Sequence, residues 1–256
     1  MKILQHKPYV LLFILGGFFI TNAIVAEFIG VKIFSLEALF GISPFNFKLF
    51  GTEGLGFNLT AGVILWPVVF VMTDIINEYF GQRVVKFLSW LTVGLIVYAF
   101  LMIYGAISLP ANAWWQYESG AGKSITDMDL SYRAIMGQGL WIIVGSMAAF
   151  LLGQLVDVIT FHKIKQITGE KSIWLRATGS TLVSQFIDSF VVLFIAFYIG
   201  ADWSFGRVMA IAIVNYMYKF SMAILLTPVI YLVHELVEKY LGREMATRLK
   251  TEAMGE

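Results

Sequence analysis

The 256-residue sequence contains no cysteine, which excludes disulfides, thiolate metal sites and cysteine nucleophiles. Its three histidines, His6, His162 and His234, are scattered, so a histidine-rich metal centre is not expected. Charge is scarce: 14% of residues are Asp, Glu, Lys or Arg, against about 25% in an ordinary soluble domain. No Gly-x4-Gly-Lys-Ser/Thr phosphate loop occurs, so the chain does not hydrolyse ATP by itself. His-Glu-x-x-His and Gly-x-Ser-x-Gly are missing too, which argues against an intramembrane enzyme. Neither an arginine-rich voltage sensor nor a Thr-Val-Gly-Tyr-Gly filter is found. No catalytic residue, metal ligand or cofactor is therefore assigned.

What the chain has instead is apolar length. Hydrophobic residues make up 59% of it, and the mean hydropathy is +0.78. The long apolar runs predict an all-α integral membrane protein of one domain, residues 1–256, with six transmembrane helices at about 9–29, 59–80, 84–107, 134–160, 177–200 and 208–233. The first run follows Lys2 and Lys7 as a signal peptide would. Its small-x-small cleavage pattern at Ile24-Val-Ala26 is poor, and the run reads as a retained helix. Residues 31–58, rich in Phe and broken at Gly41-Ile-Ser-Pro44 and Gly51 to Gly56, are expected to lie along the membrane interface. Gly81, followed by Arg83 and Lys86, predicts a helix end and a tight turn between antiparallel neighbours. Trp114-Trp115 opens a polar loop that carries Gly120, Gly122, Asp127 and Asp129, and residues 235–256 form a charged cytoplasmic tail.

Basic residues orient the spans. With the amino terminus inside, twelve of the eighteen Lys and Arg residues, among them Lys2, Arg83, Lys86, Lys163, Lys165, Lys171 and Arg176, fall on cytoplasmic segments. Five, including Lys123 and Arg207, fall outside, and Lys219 lies within a span. The positive-inside rule thus places both termini in the cytoplasm.

Against this apolar background the pattern Gln-x-x-Asp occurs twice, as Gln154…Asp157 and Gln185…Asp188. A Gln and an Asp three apart share one helix face, and in hydrocarbon they cost several kcal/mol unless a partner or a solute satisfies them. At ~1.5 Å per residue, Asp188 and Lys219 each lie about 16 Å into the bilayer, which predicts an ion pair near the midplane. Ser184 and Gln185 fall one turn below, and Asn215 one turn from Lys219. Thr73, Asp74, Asn77 and Glu78 form a polar stripe, Asn22 lies above the midplane, and Glu27 lies near the outer surface. Structural readings stand beside these. Glu78 can pair with Arg83 or Lys86, Asp157 can reach His162 or Lys163, and Asn22, Gln154 and Asn215 can simply bond helix to helix, at ~0.6 kcal/mol each.

Three segments carry a resemblance: Thr73-Asp74-Ile-Ile-Asn77-Glu78-Tyr-Phe-Gly81; Gly153-Gln154-Leu-Val-Asp157 to His162-Lys163; and Arg176-Ala-Thr-Gly-Ser180-Thr-Leu-Val-Ser184-Gln185-Phe-Ile-Asp188-Ser189. From about Leu59 to the last span, the chain resembles the queuosine precursor transporter family. That family is similar to the vitamin-uptake S-components in being a small six-helix bundle. The resemblance implies import of 7-cyano-7-deazaguanine, its aminomethyl form or queuine across a bacterial inner membrane, for tRNA modification. A guanine-like edge offers N–H donors that a carboxylate accepts, and an O6 that Gln, Asn or Lys can reach.

The candidate substrate-binding set is Asn22, Asp74, Asn77, Glu78, Gln154, Asp157, Ser184, Gln185, Asp188, Asn215 and Lys219. Expected partners are the small 7-deazapurine and membrane lipid, with no nucleic acid; a homodimer is one arrangement the sequence permits. The alternative is a substrate-capture S-component served by a separate ATPase, but helix one lacks a clean Ala-x3-Ala docking face. An intramembrane enzyme using paired carboxylates is the third reading.

Overall fold

Backbone groups in an apolar medium must be satisfied within their own segment, and helices do this. The computed structural model describes residues 6–117, 127–137, 139–169 and 172–254. Lys2, Gly120, Gly122, Lys123 and Lys171 lie outside the described residues, as does the end of the expected tail. The helices are α1 (Lys7–Ile29), α2 (Leu36–Leu39), α3 (Trp66–Ser108), α4 (Ala113–Tyr117), α5 (Met128–Met136), α6 (Leu140–Thr168), α7 (Ile173–Leu193), α8 (Phe205–Leu225), α9 (Thr227–Leu241) and α10 (Arg243–Met254). Among the described residues, five helical stretches are long and apolar enough to cross a membrane.

The longest of these does not run straight. Within α3, Gly81 has φ 81° and ψ 169°, a region open essentially to glycine alone. A straight helix of 43 residues would measure about 65 Å. Yet Gly62, just before α3, abuts the Ala26 carbonyl, and Phe100, towards its far end, meets Phe28 at 5.4 Å. Both ends of α3 thus lie beside the same end of α1, and the chain reverses at Gly81. The turn expected there is present.

Other boundaries move. The second apolar run is not helical from residue 59: Asn58–Thr60 is a strand and Ala61–Ile64 a 3-10 turn. The run expected to start at 134 splits into α5 and α6 around Gly137 and Gly139. Its helix continues to Thr168, so His162 to Lys165 is helical rather than a turn. α7 begins at Ile173 and ends in a π turn, Phe194–Ile199. The last run breaks at Leu226, where Pro228 opens α9. The expected tail is helical, and α10 folds back towards α3, with Lys250 bonded to Glu238 at 2.6 Å and standing 5.3 Å over the Tyr79 ring.

Residues 31–58 are also more ordered than their composition suggests. β1 (Ile33–Ser35) pairs antiparallel with β4 (Asn58–Thr60), and β2 (Phe47–Leu49) with β3 (Thr52–Leu55). Glu37 accepts hydrogen bonds from the Phe57 N–H (2.8 Å) and the Ser35 hydroxyl (3.2 Å). Leu55 packs on Ala210 and Val214, which seats this small cap on α8.

α6 and α7 form a tight antiparallel hairpin. A β-carbon at Gly145 would come within 3.0 Å of the Val192 carbonyl oxygen, so the absence of a side chain sets the approach. The main apolar core joins Phe19 of α1, Ile75 and Tyr79 of α3, Phe150 and Val158 of α6, and Val237 of α9. Around it the usual polarity is inverted: Asp74 and Arg176 are buried, while Phe13 and Trp90 are each 67% exposed. That is the surface of a protein whose solvent is lipid.

Replacing Gly81 by Ala should destabilise the reversal by about 1–3 kcal/mol, seen as a lower thermal midpoint of the detergent-purified protein. An unchanged midpoint would mean that the turn tolerates a β-carbon.

Candidate functional site

At the end of the bundle covered by β1–β4, a cavity of about 400 Å³ opens between α1, α3, α5, α6, α7 and α8. Its walls are mostly apolar, including Val63, Trp66, Ile142 and Val192. Its polar groups are few: Glu27, Thr60, Ser146, Asp188, Ser189, Asn215 and Lys219. Lys219 of α8 is ion-paired with Asp188 of α7, and Ser146 of α6 donates to Glu27 of α1. The Lys219 and Asp188 side chains keep 17% and 21% exposure, so the pair is formed yet reachable. Ser189 is buried and its hydroxyl has no hydrogen-bond partner among the described residues. Asn215 donates back to the Ile211 carbonyl at 3.2 Å.

Lys219 also borders a second, far smaller cavity of about 30 Å³, lined by Trp66, Phe70, Thr181 and Gln185 among others. That is room for about one water. The Gln185 side-chain nitrogen is buried and unpartnered.

Further along the bundle is a layer of polar residues that do not line the large cavity. The Thr73 hydroxyl lies 3.0 Å from the Gln154 carbonyl oxygen, bonding α3 to α6. The chain runs the same way in both helices here, so one turn on from Thr73 and Gln154, Asn77 stands level with Asp157, and Asp74 lies between the two levels. Ser184 of α7 donates to one Asp157 oxygen at 3.1 Å. Among the described residues, both Asp74 oxygens, the second Asp157 oxygen and the amide nitrogens of Asn77 and Gln154 are buried without a hydrogen-bond partner. Native interiors leave few such groups, and each calls for an explanation.

Beyond this layer lies a buried ionic cluster. Arg176 of α7 makes a two-pronged contact with Glu78, Nε to Oε2 at 3.0 Å and Nη2 to Oε1 at 2.8 Å. Its remaining prong reaches the Gly169 carbonyl at 2.7 Å. Lys165 of α6 sits 3.2 Å from the same carboxylate. Glu78 therefore pairs with Arg176 and Lys165, not with Arg83 or Lys86, and both its oxygens are engaged. Tyr79 contacts Nδ1 of His234 at 3.1 Å. Burial, followed by the positive charges of Lys250, Arg176 and Lys165, pushes His234 down to about 3, so this imidazole is neutral at physiological pH.

The sequence-derived set thus divides. Asp188, Asn215 and Lys219 line the large cavity, and Gln185 lines the small one beside Lys219. Asp74, Asn77, Gln154, Asp157 and Ser184 form the closed polar layer, and Glu78 belongs to the ionic cluster. Asn22 stands apart, its amide donating to the Phe18 carbonyl of its own helix at 2.8 Å. Glu27, Ser146 and Ser189 of the cavity were not in the set, nor were Lys165 and Arg176, which count only as cytoplasmic charges when the sequence is read alone. Glu27 is three residues from the end of an apolar run, and nothing in its spacing separates a surface carboxylate from one turned inward.

Residues 60–233 match the family model described as "Putative vitamin uptake transporter". The chain belongs to this family. It is 26% identical over 193 residues to the "Probable queuosine precursor transporter" of Bacillus subtilis (strain 168), covering 72% of this chain and 76% of that protein. To the "Queuosine precursor transporter" of Escherichia coli (strain K12) it is 28% identical over 198 residues, 73% of this chain and 82% of the relative. The Haemophilus influenzae "Probable queuosine precursor transporter" is 28% identical over 171 residues, 66% of each chain. No solved structure matches the chain. The protein is a multi-pass bacterial membrane protein and a transporter rather than an enzyme.

Breaking one side of a buried ion pair strands the other, at about 3–5 kcal/mol. Glu78→Leu, which strands Arg176 and Lys165 together, should therefore sharply lower the yield and thermal midpoint of folded protein, and Arg176→Leu, which leaves Lys165 on Glu78, should lower them less. If the two variants lose equally, Lys165 does not compensate Glu78.

Proposed function

We propose that the chain imports a 7-deazaguanine (7-cyano-7-deazaguanine, its aminomethyl form or queuine) across the bacterial inner membrane, and that the large cavity is where the solute binds. The observation that carries this reading is the Asp188–Lys219 pair, set in an apolar wall yet partly exposed. A bicyclic guanine-like ring suits such a wall. Its N1–H and 2-amino donors match a carboxylate, and its O6 matches an ammonium or amide donor. Asp188 accepts, while Lys219 and Asn215 donate. Glu27, bonded to Ser146 across the cavity, is a second carboxylate suited to the amine of the aminomethyl form or of queuine.

The reversal at Gly81 makes six crossings from five helical stretches, with both termini cytoplasmic and the cavity facing outward. The Glu78–Arg176–Lys165 cluster then closes the cytoplasmic side. The names of the relatives support a queuosine precursor as cargo, and the small-residue docking face expected of an ATPase-served subunit is not clean on α1, which favours a solitary transporter.

The test is uptake of labelled 7-cyano-7-deazaguanine by the purified chain in liposomes. Asp188→Asn and Lys219→Met should each lower uptake roughly ten- to hundredfold, the loss of one charge-assisted hydrogen bond of about 1.5–3 kcal/mol. Normal uptake by Asp188→Asn defeats the site; transport only with a partner ATPase defeats the solitary reading.

A further inference from the structure

We infer that Asp74 and Asp157 form a proton-binding site separate from the solute cavity, and that its loading and unloading couple transport to the proton gradient. The coupling half of this rests on the import reading above; the site itself does not.

Asp74 is 1% exposed and Asp157 fully buried, and three of their four carboxylate oxygens accept no well-formed hydrogen bond among the described residues, although the Ser180 and Thr181 hydroxyls face Asp157 beside Ser184. The charged and titratable groups around them are accounted for by element. On α3, Glu78 is itself an anion. On α6, Lys165 contacts the Glu78 carboxylate and carbonyl. On α7, Arg176 divides its prongs between Glu78 and Gly169. On α8, Lys219 pairs with Asp188. On α9, His234 is neutral and bonded to Tyr79. On α10, Lys250 reaches Glu238. The charged residues of α1, Lys7 and Glu27, lie at its two ends. None of these cations contacts either aspartate.

Two adjacent carboxylates in a dry layer cannot both stay ionised. One proton shared between them removes a charge and supplies the missing donor. A metal cation is the poorer occupant: no group of three or more His, Cys, Asp or Glu suited to a metal occurs among the described residues, and three oxygens fall short of the shell a hard cation takes.

The position also fits coupling. On α7, Asp188 in the cavity wall lies one turn from Ser184, and Ser184 donates to Asp157. On α3, Asp74 lies one turn from Glu78 in the cluster that closes the other side. The pair thus stands between the two, with a polar group leading to it from each. A proton taken up by one carboxylate from the cavity side and released on the other would neutralise and recharge this layer as the bundle rearranges.

The test uses the full chain in liposomes with labelled 7-cyano-7-deazaguanine as probe. With the outside more acidic, the wild type should accumulate the probe, and a proton ionophore should abolish this. Asp74→Asn and Asp157→Asn, which mimic the protonated acid, should lose gradient-driven accumulation at least tenfold while still exchanging labelled for unlabelled probe. Accumulation by both variants at wild-type levels overturns the inference, as does accumulation that follows a sodium gradient instead.

A second measurement needs no solute. The infrared carbonyl band of a protonated carboxylic acid, shifted by deuterium, should be present in the wild type at neutral pH and weaker in the doubly substituted protein; an unchanged band overturns the proton site. Failure of the cargo reading looks different: the wild type neither binds nor exchanges the probe, or Asp188→Asn exchanges it normally, while the infrared result stands by itself.

Discussion

A charge inside this bundle must be met within hydrogen-bonding reach or be neutralised, because lipid and apolar side chains offer it nothing. That constraint sorts the polar interior into levels. Glu78 is matched twice over, by Arg176 and Lys165. Asp188 is matched once, by Lys219, at a cavity wall. Asp74 makes no hydrogen bond or ion pair through its carboxylate among the described residues. Three acids on neighbouring helices thus have three environments, and each environment suits a different task.

The fully matched cluster ties α3, α6 and α7 together at one end, and α10 lies over the Tyr79 edge of the same region. A passage through that end would have to part Arg176 from Glu78 or carry them as a unit. Carrying them together is the less costly course, since the desolvation of both groups is already matched in place. Rigid movement of α3 together with the α6–α7 hairpin, tightly joined at Gly145, against α1 and α8 is compatible with that. The contacts that such a movement would change are then the sparser ones at the cavity: Asp188 with Lys219 across α7 and α8, and Glu27 with Ser146 across α1 and α6.

The helical runs could be read from apolar length, and the reversal at Gly81 from a glycine followed by two basic residues. The pairing of Asp188 with Lys219 followed from counting residues along two helices. Boundaries were less legible, because hydropathy does not register what a terminus bonds to: Leu59 opens the apolar run that leads into α3, and only pairing of Asn58–Thr60 with Ile33–Ser35 makes that stretch a strand. Partners were the hardest to read. Arg176 is adjacent to the basic segment that a positive-inside count assigns to the cytoplasm, yet it is wholly buried, because a carboxylate 98 residues earlier needs it. Depth along a helix can be counted from sequence; rotation about the helix axis, which turned Glu27 inward and Asn22 back on its own turn, cannot be counted so closely.

The partial exposure of the Asp188–Lys219 pair also bears on selectivity. A site that binds through donors and acceptors rejects an analogue lacking one of them far more strongly than an apolar pocket rejects a missing methylene, since the protein group is then left buried and unpaired. With the cavity open, water can serve Asp188 and Lys219, and a poor match costs little. Once the walls close and water leaves, only a solute that offers N–H groups to the one and a carbonyl oxygen to the other keeps both satisfied. Discrimination in such a carrier is therefore exercised at closure rather than at entry, and the apolar majority of the wall, by excluding water, makes the few polar contacts decisive.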